Sequence, residues 1–361
     1  MTRMNSRPRA LKGRGALSNP PGRFDAQQIS AVDDGWYMEA EPECIPTTLE
    51  PDKARGVITT NDSPDIPFDS SINPYRGCSH GCTYCYARPS HAYMGLSPGL
   101  DFETRLFYKA DAQKTLESEL ARPGYACKPI MLGANTDPYQ PVEKRMKVTR
   151  SILEVLARTR HPVAVTTKSA MVLRDLDLLT DLARDNLVSV SVSVTTLDDD
   201  LKRRLEPRAA SPAARIRTLA ELAAAGVPCG VMVAPVIPVI TDHEMERILE
   251  AGAGAGAQWA GYVLLRLPYE VKDLFREWLA EHYPERAAHV MSLIHEMRGG
   301  RDNDPRFGSR MRGTGPYAQL LRNRFRLACQ RLKLNSSPRG SLDTTRFRPP
   351  GPAGAQLRLG L

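Results

Sequence analysis

The 361-residue chain contains no run of about 18 apolar residues, so no membrane-spanning helix is expected. The stretch Met1–Gly22 is basic and rich in Pro and Gly, but it has neither the apolar segment nor the small-residue cleavage site of a secretory signal. A short disordered leader is expected there. Cysteines are few and odd in number: seven, of which Cys78, Cys82 and Cys85 fall within eight residues, while Cys44, Cys127, Cys229 and Cys329 are scattered. A secreted disulfide framework would be denser and even, so a reducing, cytoplasmic compartment fits better. No internal repeat is evident. Gly252-Ala253-Gly254-Ala255-Gly256 lacks both the Lys-Ser/Thr of a phosphate loop and the strand–turn–helix setting of a dinucleotide site. His243, His282, His289 and His295 show no ligand spacing with the cysteines.

Net charge is +8, concentrated at the two ends: residues 1–31 carry +5, residues 301–361 carry +10, and the centre is acidic by 7. Basic ends suit a polyanion such as nucleic acid, although solvated tails carry the same signature. Arg322-Asn323-Arg324-Phe325-Arg326 interleaves basic and aromatic residues in a way that could meet nucleic acid or simply turn a basic helix face to water.

Residues 1–70 read as an irregular N-terminal extension. From there to about Pro268, short apolar runs alternate with helical segments. The candidate strands are Ile72–Tyr75, Pro129–Gly133, Val163–Thr167, Leu187–Val194, Gly230–Ile237 and Tyr262–Leu267. They are continuous rather than alternating, as parallel strands buried on both faces are. The helical segments between them are Ala110–Ala121, Arg150–Arg158, Leu173–Arg184, a helix capped by Ser211 with Pro212 at its first position, and Met245–Ala251. Thr241 and Glu244 are expected to form a capping box before the last. Asp198-Asp199-Asp200 reads as a helix start, where negative charge is favourable. Six strands with intervening helices predict an α/β fold, a partial (β/α)6 TIM-type barrel over residues 71–268, whose chemistry sits at the C-terminal strand ends. A helical, basic C-terminal region follows over 269–335 (Val271–His282, Glu285–Met297, Tyr317–Leu332). A disordered tail is expected at 336–361.

The decisive stretch is Arg76-Gly77-Cys78-Ser79-His80-Gly81-Cys82-Thr83-Tyr84-Cys85-Tyr86-Ala87, directly after the first barrel strand. Three thiolates at C-x3-C-x2-C spacing can wrap one cubic iron–sulfur cluster and leave one iron open. Gly77 and Gly81 supply the backbone freedom such a loop needs. A structural zinc would require a fourth ligand, from His80, His91 or a distant cysteine.

This loop is the C-x3-C-x-aromatic-C signature of the radical S-adenosylmethionine (SAM) superfamily, with Tyr84 as the aromatic. With Ser70–Gly77, Tyr84–His91, Asn135–Gln140, Leu265-Arg266-Leu267-Pro268 and Arg298-Gly299-Gly300, the chain resembles an uncharacterised bacterial family of radical SAM proteins related to spore photoproduct lyase. The resemblance implies a [4Fe-4S] cluster on Cys78, Cys82 and Cys85, with SAM bound at the open iron. Reductive cleavage then yields a 5′-deoxyadenosyl radical that abstracts hydrogen from a substrate. It also implies SAM contacts from Tyr84 (adenine), Asn135 and Thr136 (methionyl amino group), Lys168 (carboxylate) and Ser193 or Ser191 (ribose), with Arg208 beyond them. Flavodoxin or ferredoxin would supply electrons, and the substrate would be nucleic acid, a peptide or a small metabolite.

In one respect the chain departs from spore photoproduct lyase. Ala134 and Asn135 stand where that enzyme has a hydrogen-donating cysteine. Cys127 and Cys229 precede their strands, at the wrong end of a barrel, and read as small buried hydrophobes. Tyr86 and Tyr139 are the alternative hydrogen relays. Two other readings remain open on sequence: a non-catalytic iron–sulfur electron-transfer or sensor protein, and a nucleic-acid-binding module with structural zinc.

Overall fold

The computed structural model describes residues 11–25, 45–336 and 340–351. Ten strands form two sheets. They are β1 (Thr48–Pro51), β2 (Ile58–Thr60), β3 (Ser70–Ile72), β4 (Tyr75–Arg76), β5 (Arg105–Tyr108), β6 (Ile130–Leu132), β7 (Val163–Thr167), β8 (Val188–Ser193), β9 (Cys229–Val236) and β10 (Trp259–Leu264). The larger sheet runs β10-β9-β8-β7-β6-β3-β2. Its members β3 and β6 to β10 are mutually parallel, and β2 adds an antiparallel edge. These six parallel strands are the expected partial (β/α)6 barrel. The smaller sheet, β1-β5-β4, packs beside it and was not legible in the sequence.

Every residue of β8 is buried, which is why its Val and Ser positions give no inside–outside alternation. The last strand lies three residues earlier than its predicted run Tyr262–Leu267, because Trp259 and Ala260 pair with Gly230 and Val231. Helices follow closely where they were expected: Ala112–Leu120, Val148–Arg158, Leu176–Arg184, Pro212–Ala224, Met245–Gly254, Val271–His282, Ala287–Met297 and Gly315–Arg331. Ser211 Oγ accepts Ala214 N at 3.2 Å, and Asp198 caps Asp199–Leu205 through Asp200 N (2.7 Å) and Leu201 N (3.0 Å). The Thr241–Glu244 capping box does not form. Thr241 Oγ1 instead accepts Ile237 N (2.9 Å), and the buried Glu244 carboxylate reaches across to Thr196 Oγ1 (2.5 Å) and Leu197 N (2.8 Å), where unpaired loop donors need it more.

The described parts of two segments expected to be disordered are built into the molecule; residues 1–10, 337–339 and 352–361 lie outside the described residues. Residues 11–25 are irregular but packed: Ala16 joins a small core with Leu100 and Leu274, and Ser18 donates to Glu277 at 2.6 Å. Residues 340–351 return to the base of the barrel, with Arg348 N on Thr159 O (2.8 Å) and the Phe347 ring edge-on to His161 at 5.2 Å. Part of the basic–aromatic run of the last helix is engaged within the fold, while Asn323 and Arg326 are exposed. Phe325 lies 4.7 Å from Tyr262, Arg324 pairs with Glu246 at 2.7 Å, and Arg331 pairs with Glu250. No helix among the described residues is long and apolar enough to cross a membrane.

Candidate active site

The cysteine loop leaves β4 and crosses the C-terminal mouth of the barrel. Gly77 and Gly81 both adopt the left-handed region (φ +74° and +71°), as expected of a loop that must turn its thiols to one side. Its backbone is pinned from several directions. Ser79 N donates to Gln140 Oε1 (2.8 Å), and Gln140 Nε2 to Gly77 O (3.1 Å). Thr83 N donates to Leu205 O (3.1 Å), and Arg208 N to His80 O (3.1 Å). The fully buried Arg88 donates Nε to Cys82 O (2.9 Å) and pairs with Glu103. That carboxylate in turn accepts Gly15 N (3.0 Å) and Ala16 N (2.8 Å), so the N-terminal segment closes over the back of the loop. Below, Cys82 and Tyr84 share a hydrophobic cluster with Phe275 and Trp278 of Val271–His282.

The thiols face a cavity of about 250 Å³ bounded by the strand ends. Cys78, Cys82, Cys85, Tyr84, Tyr86, Asn135, Thr136, Lys168 and Ser193 all line it, drawn together from four separate stretches of chain. Asn135 is exposed at the rim, and its N–H and that of Thr136 are held by Asn73 Oδ1 at 2.9 and 3.4 Å. Thr136 gives its hydroxyl to Tyr75 O (2.9 Å), so its side chain is already engaged. Ser191 is not on the wall but accepts Trp259 Nε1 at 3.3 Å. Arg208 points to Thr47 at 3.4 Å, outside the cavity.

Of the two tyrosines, only Tyr86 is at the site, with its hydroxyl on Ala134 O. Tyr139 is fully buried in the main core beneath Arg174, whose guanidinium lies 5.9 Å from its ring, so it is no relay to the cavity. Cys229 opens β9, buried, with its sulfur 3.5 Å from Leu219 O, and Cys127 precedes β6. Neither lines the cavity. Cys44 lies outside the described residues.

Three groups escaped the sequence reading. Glu206 is fully buried behind Tyr84 and Lys168. It pairs with the buried Arg215, accepts Thr195 Oγ1 (2.6 Å) and the Tyr84 hydroxyl, and lies 3.6 Å from Lys168 Nζ, which also donates to Ala234 O at 3.0 Å. Burial alone would raise this carboxyl. The charge of Arg215, then that of Lys168, outweighs it and holds Glu206 below the usual carboxylate range. Asp137 accepts Thr167 Oγ1 and Lys168 N, each at 2.7 Å, and faces His80 Nδ1 at 3.4 Å. Burial lowers the His80 pKa. Arg266, just past β10, also lines the cavity, with its guanidinium 5.1 Å from the centre of the Tyr86 ring. The Pro following Glu206 and the basic residue closing the sixth strand are the signals that could have pointed to the first and the last.

Burial pushes the Cys78 and Cys82 thiols up, so an anionic form needs a cation to hold it. Among the described residues no three His, Cys, Asp or Glu side chains converge on one point to hold a single ion. A cubic cluster does not ask them to, since each thiolate binds a different iron. Three thiols around one cavity, with the remaining side open toward Asn135 and Lys168, fit such a cluster with one iron left for another ligand.

Comparison with known proteins agrees. The family model for the radical SAM superfamily matches residues 72–252. An uncharacterised protein of Mycobacterium bovis is 38% identical over 230 residues, covering 63% of this chain and 68% of its own length, and its Mycobacterium tuberculosis counterparts match equally. A phage protein, the radical SAM Nalpha-GlyT isomerase of Pseudomonas phage M6, is 25% identical over 267 residues, or 67% of this chain and 50% of that one. In structure, a spore photoproduct lyase mutant solved with AdoMet and a dinucleoside spore photoproduct superposes with a TM-score of 0.53 at 15% identity. The match covers 79% of this chain and 78% of that one. The chain is therefore an enzyme of the radical SAM superfamily, with the fold of spore photoproduct lyase.

Proposed function

We propose that Cys78, Cys82 and Cys85 hold a [4Fe-4S] cluster and that SAM occupies the adjoining part of the cavity against Tyr84, Asn135, Thr136, Lys168 and Ser193. The observation that carries this reading is the convergence of the three thiols and these five side chains on one cavity at the barrel mouth. When bound, the cluster and SAM would supply a 5′-deoxyadenosyl radical able to take hydrogen from an unactivated carbon. The chain's own part is positioning and shielding. Lys168 offers an ammonium where a carboxylate can replace its bond to Ala234 O, and Tyr84 presents a ring whose hydroxyl is fixed by Glu206. The wall of Met232, Pro235, Val263 and Leu264 excludes water from a reactive centre.

Electrons would come from a flavodoxin or ferredoxin, in the cytoplasm. A nucleic-acid component is the first substrate class to test, given the fold shared with a lyase solved with a dinucleoside photoproduct and the basic ends of the chain.

The experiment is anaerobic reconstitution, followed by SAM and dithionite, with 5′-deoxyadenosine measured by mass spectrometry beside Cys82→Ala. Product from the wild type alone, with iron and sulfide near four each per chain, is the expected result. A fully loaded cluster without product, even in the presence of cell extract, would overturn the reading.

A further inference from the structure

Arg266 is the cavity-lining side chain that internal packing leaves unsatisfied. Its Nε is sealed from water with no hydrogen-bond partner, and Nη1 meets only the Met311 sulfur at 3.8 Å. The guanidinium lies 5.1 Å from the centre of the Tyr86 ring, toward the thiol loop. Its neighbours are committed elsewhere. Arg310 is held by Asp65 at 2.6 Å, and Arg298 by Ser309 O, Arg310 O and Leu265 O at 3.1, 2.8 and 2.7 Å. Those Arg298 bonds also staple the 309–311 loop to the end of β10, which fixes the backbone that carries Arg266. Asp65, the nearest acid to influence Arg266, is occupied by Arg310 and by Gly308 N at 2.7 Å.

A partly buried guanidinium with no anion is unfavourable, and it becomes favourable only when a ligand brings one. We infer that Arg266 receives an anionic group of the substrate, a phosphate or a carboxylate, at the barrel mouth beside Tyr86. Lys168 is separately engaged by Glu206 and Ala234, so the two cations serve different anions. The cavity wall also carries the apolar Met232, Val263 and Leu264, and the Tyr86 ring beside Arg266 offers a flat surface. The ligand is thus a molecule with an apolar or planar body ending in one anion, recognised by a planar fork suited to two parallel bonds. This rests on the reading that the cavity is the reaction chamber.

The test uses reconstituted, SAM-loaded holoenzyme. Sodium phosphate and sodium acetate are titrated at constant ionic strength against sodium chloride, with thermal stabilisation as the binding readout. The wild type is expected to respond to phosphate, to acetate or to both, and the stronger response names the anion class. Arg266→Gln should weaken that response about ten- to a hundredfold, and Arg266→Lys, which keeps the charge and the fold, about two- to tenfold. Arg184→Gln, which removes an exposed surface charge outside the cavity, should leave it unchanged. Equal responses in the wild type and both Arg266 variants overturn the inference. The affinity of Arg266→Gln for SAM, measured by equilibrium dialysis, should stay within twofold of the wild type. Loss of SAM binding would assign Arg266 to the cofactor's carboxylate and overturn the assignment to substrate. Formation of 5′-deoxyadenosine by the wild type without substrate reads the radical SAM assignment separately from either result.

Discussion

Tyr84 donates its hydroxyl to Glu206, and through that one carboxylate the aromatic residue of the cysteine motif is tied to Lys168, 84 positions further along the chain. Glu206 is surrounded by two cations and two hydroxyls and has no water to share its charge. It sets the position of two of the five groups proposed to touch SAM without reaching the cavity itself.

Glu206→Gln should therefore act twice. Removing the charge leaves Arg215 buried without a counter-ion, and breaking such a pair typically costs about 3–5 kcal/mol of stability. It also frees Lys168 and Tyr84 to wander, so SAM affinity should fall about tenfold. Glu206→Gln combined with Arg215→Met should recover most of the stability, measured by urea unfolding, but not the affinity, measured by equilibrium dialysis. Full recovery of both would show that Glu206 is only part of the core.

How far the sequence led can be judged at these residues. The cysteine loop was readable because its three thiols are close in sequence, at the spacing of the radical SAM signature. β7 was readable to the residue because its Val-Ala-Val-Thr-Thr run is short and uninterrupted, with Val163, Val165 and Thr167 buried. Glu206 was not, because its partners Tyr84, Lys168, Thr195 and Arg215 come from four separate stretches and only the folded partial barrel joins them. The same holds for Glu244, whose local spacing advertised a capping box while a distant loop claimed its carboxylate. Tyr139 shows the converse: a residue beside a site motif in sequence that the chain turns into the core. The N-terminal segment looked like a tail because its anchors, Glu103 and Glu277, lie far along the chain.

Gly15 gives a test of that segment. A Cβ there would lie 1.7 Å from Gly81 O, in the loop between the first two cluster cysteines. Gly15→Ala must push the segment or the loop aside, which by the usual cost of overpacking is about 1–3 kcal/mol. The urea midpoint should drop, and cluster absorbance should bleach severalfold faster in air, because the segment covers the back of the loop. Unchanged bleaching with a lowered midpoint would mean that the cover does not protect the cluster.

The two relay candidates separate by single substitutions. Tyr139→Phe removes a buried hydroxyl that makes no well-formed hydrogen bond, with the Asp175 carboxylate its nearest acceptor. Its stability should stay within about 1 kcal/mol of the wild type, or rise, since an unpaired buried donor is unfavourable. Formation of 5′-deoxyadenosine should be unaffected. Tyr86→Phe breaks the bond to Ala134 O at the cavity wall. It should leave stability nearly unchanged but lower SAM-dependent turnover severalfold once a substrate is in hand. A turnover defect in Tyr139→Phe would restore that residue to the mechanism.

His161 gives the fold a pH dependence distant from the proposed cluster. It sits at the base of the barrel, with Nε2 accepting the Tyr125 hydroxyl at 2.8 Å, Nδ1 on Pro162 O at 3.0 Å and the Phe347 ring against its edge. Burial pushes its pKa down to about 4, only partly opposed by the Pro162 carbonyl. The unfolded chain, with a histidine pKa near 6.5, binds a proton more readily than the folded one. Stability is therefore complete above about pH 6.5 and is lost as pH falls from there toward 4, by on the order of 2–3 kcal/mol. His91, lowered to about 4 by burial beside Phe102, adds a loss in the same window. Thermal unfolding between pH 7.5 and 4.5 should show this slope, and His161→Gln, which keeps polar contacts but cannot titrate, should remove roughly half of it. If the slope is unchanged in His161→Gln, acid sensitivity belongs to the carboxylate pairs, and the docked 340–351 segment is not what protonation releases.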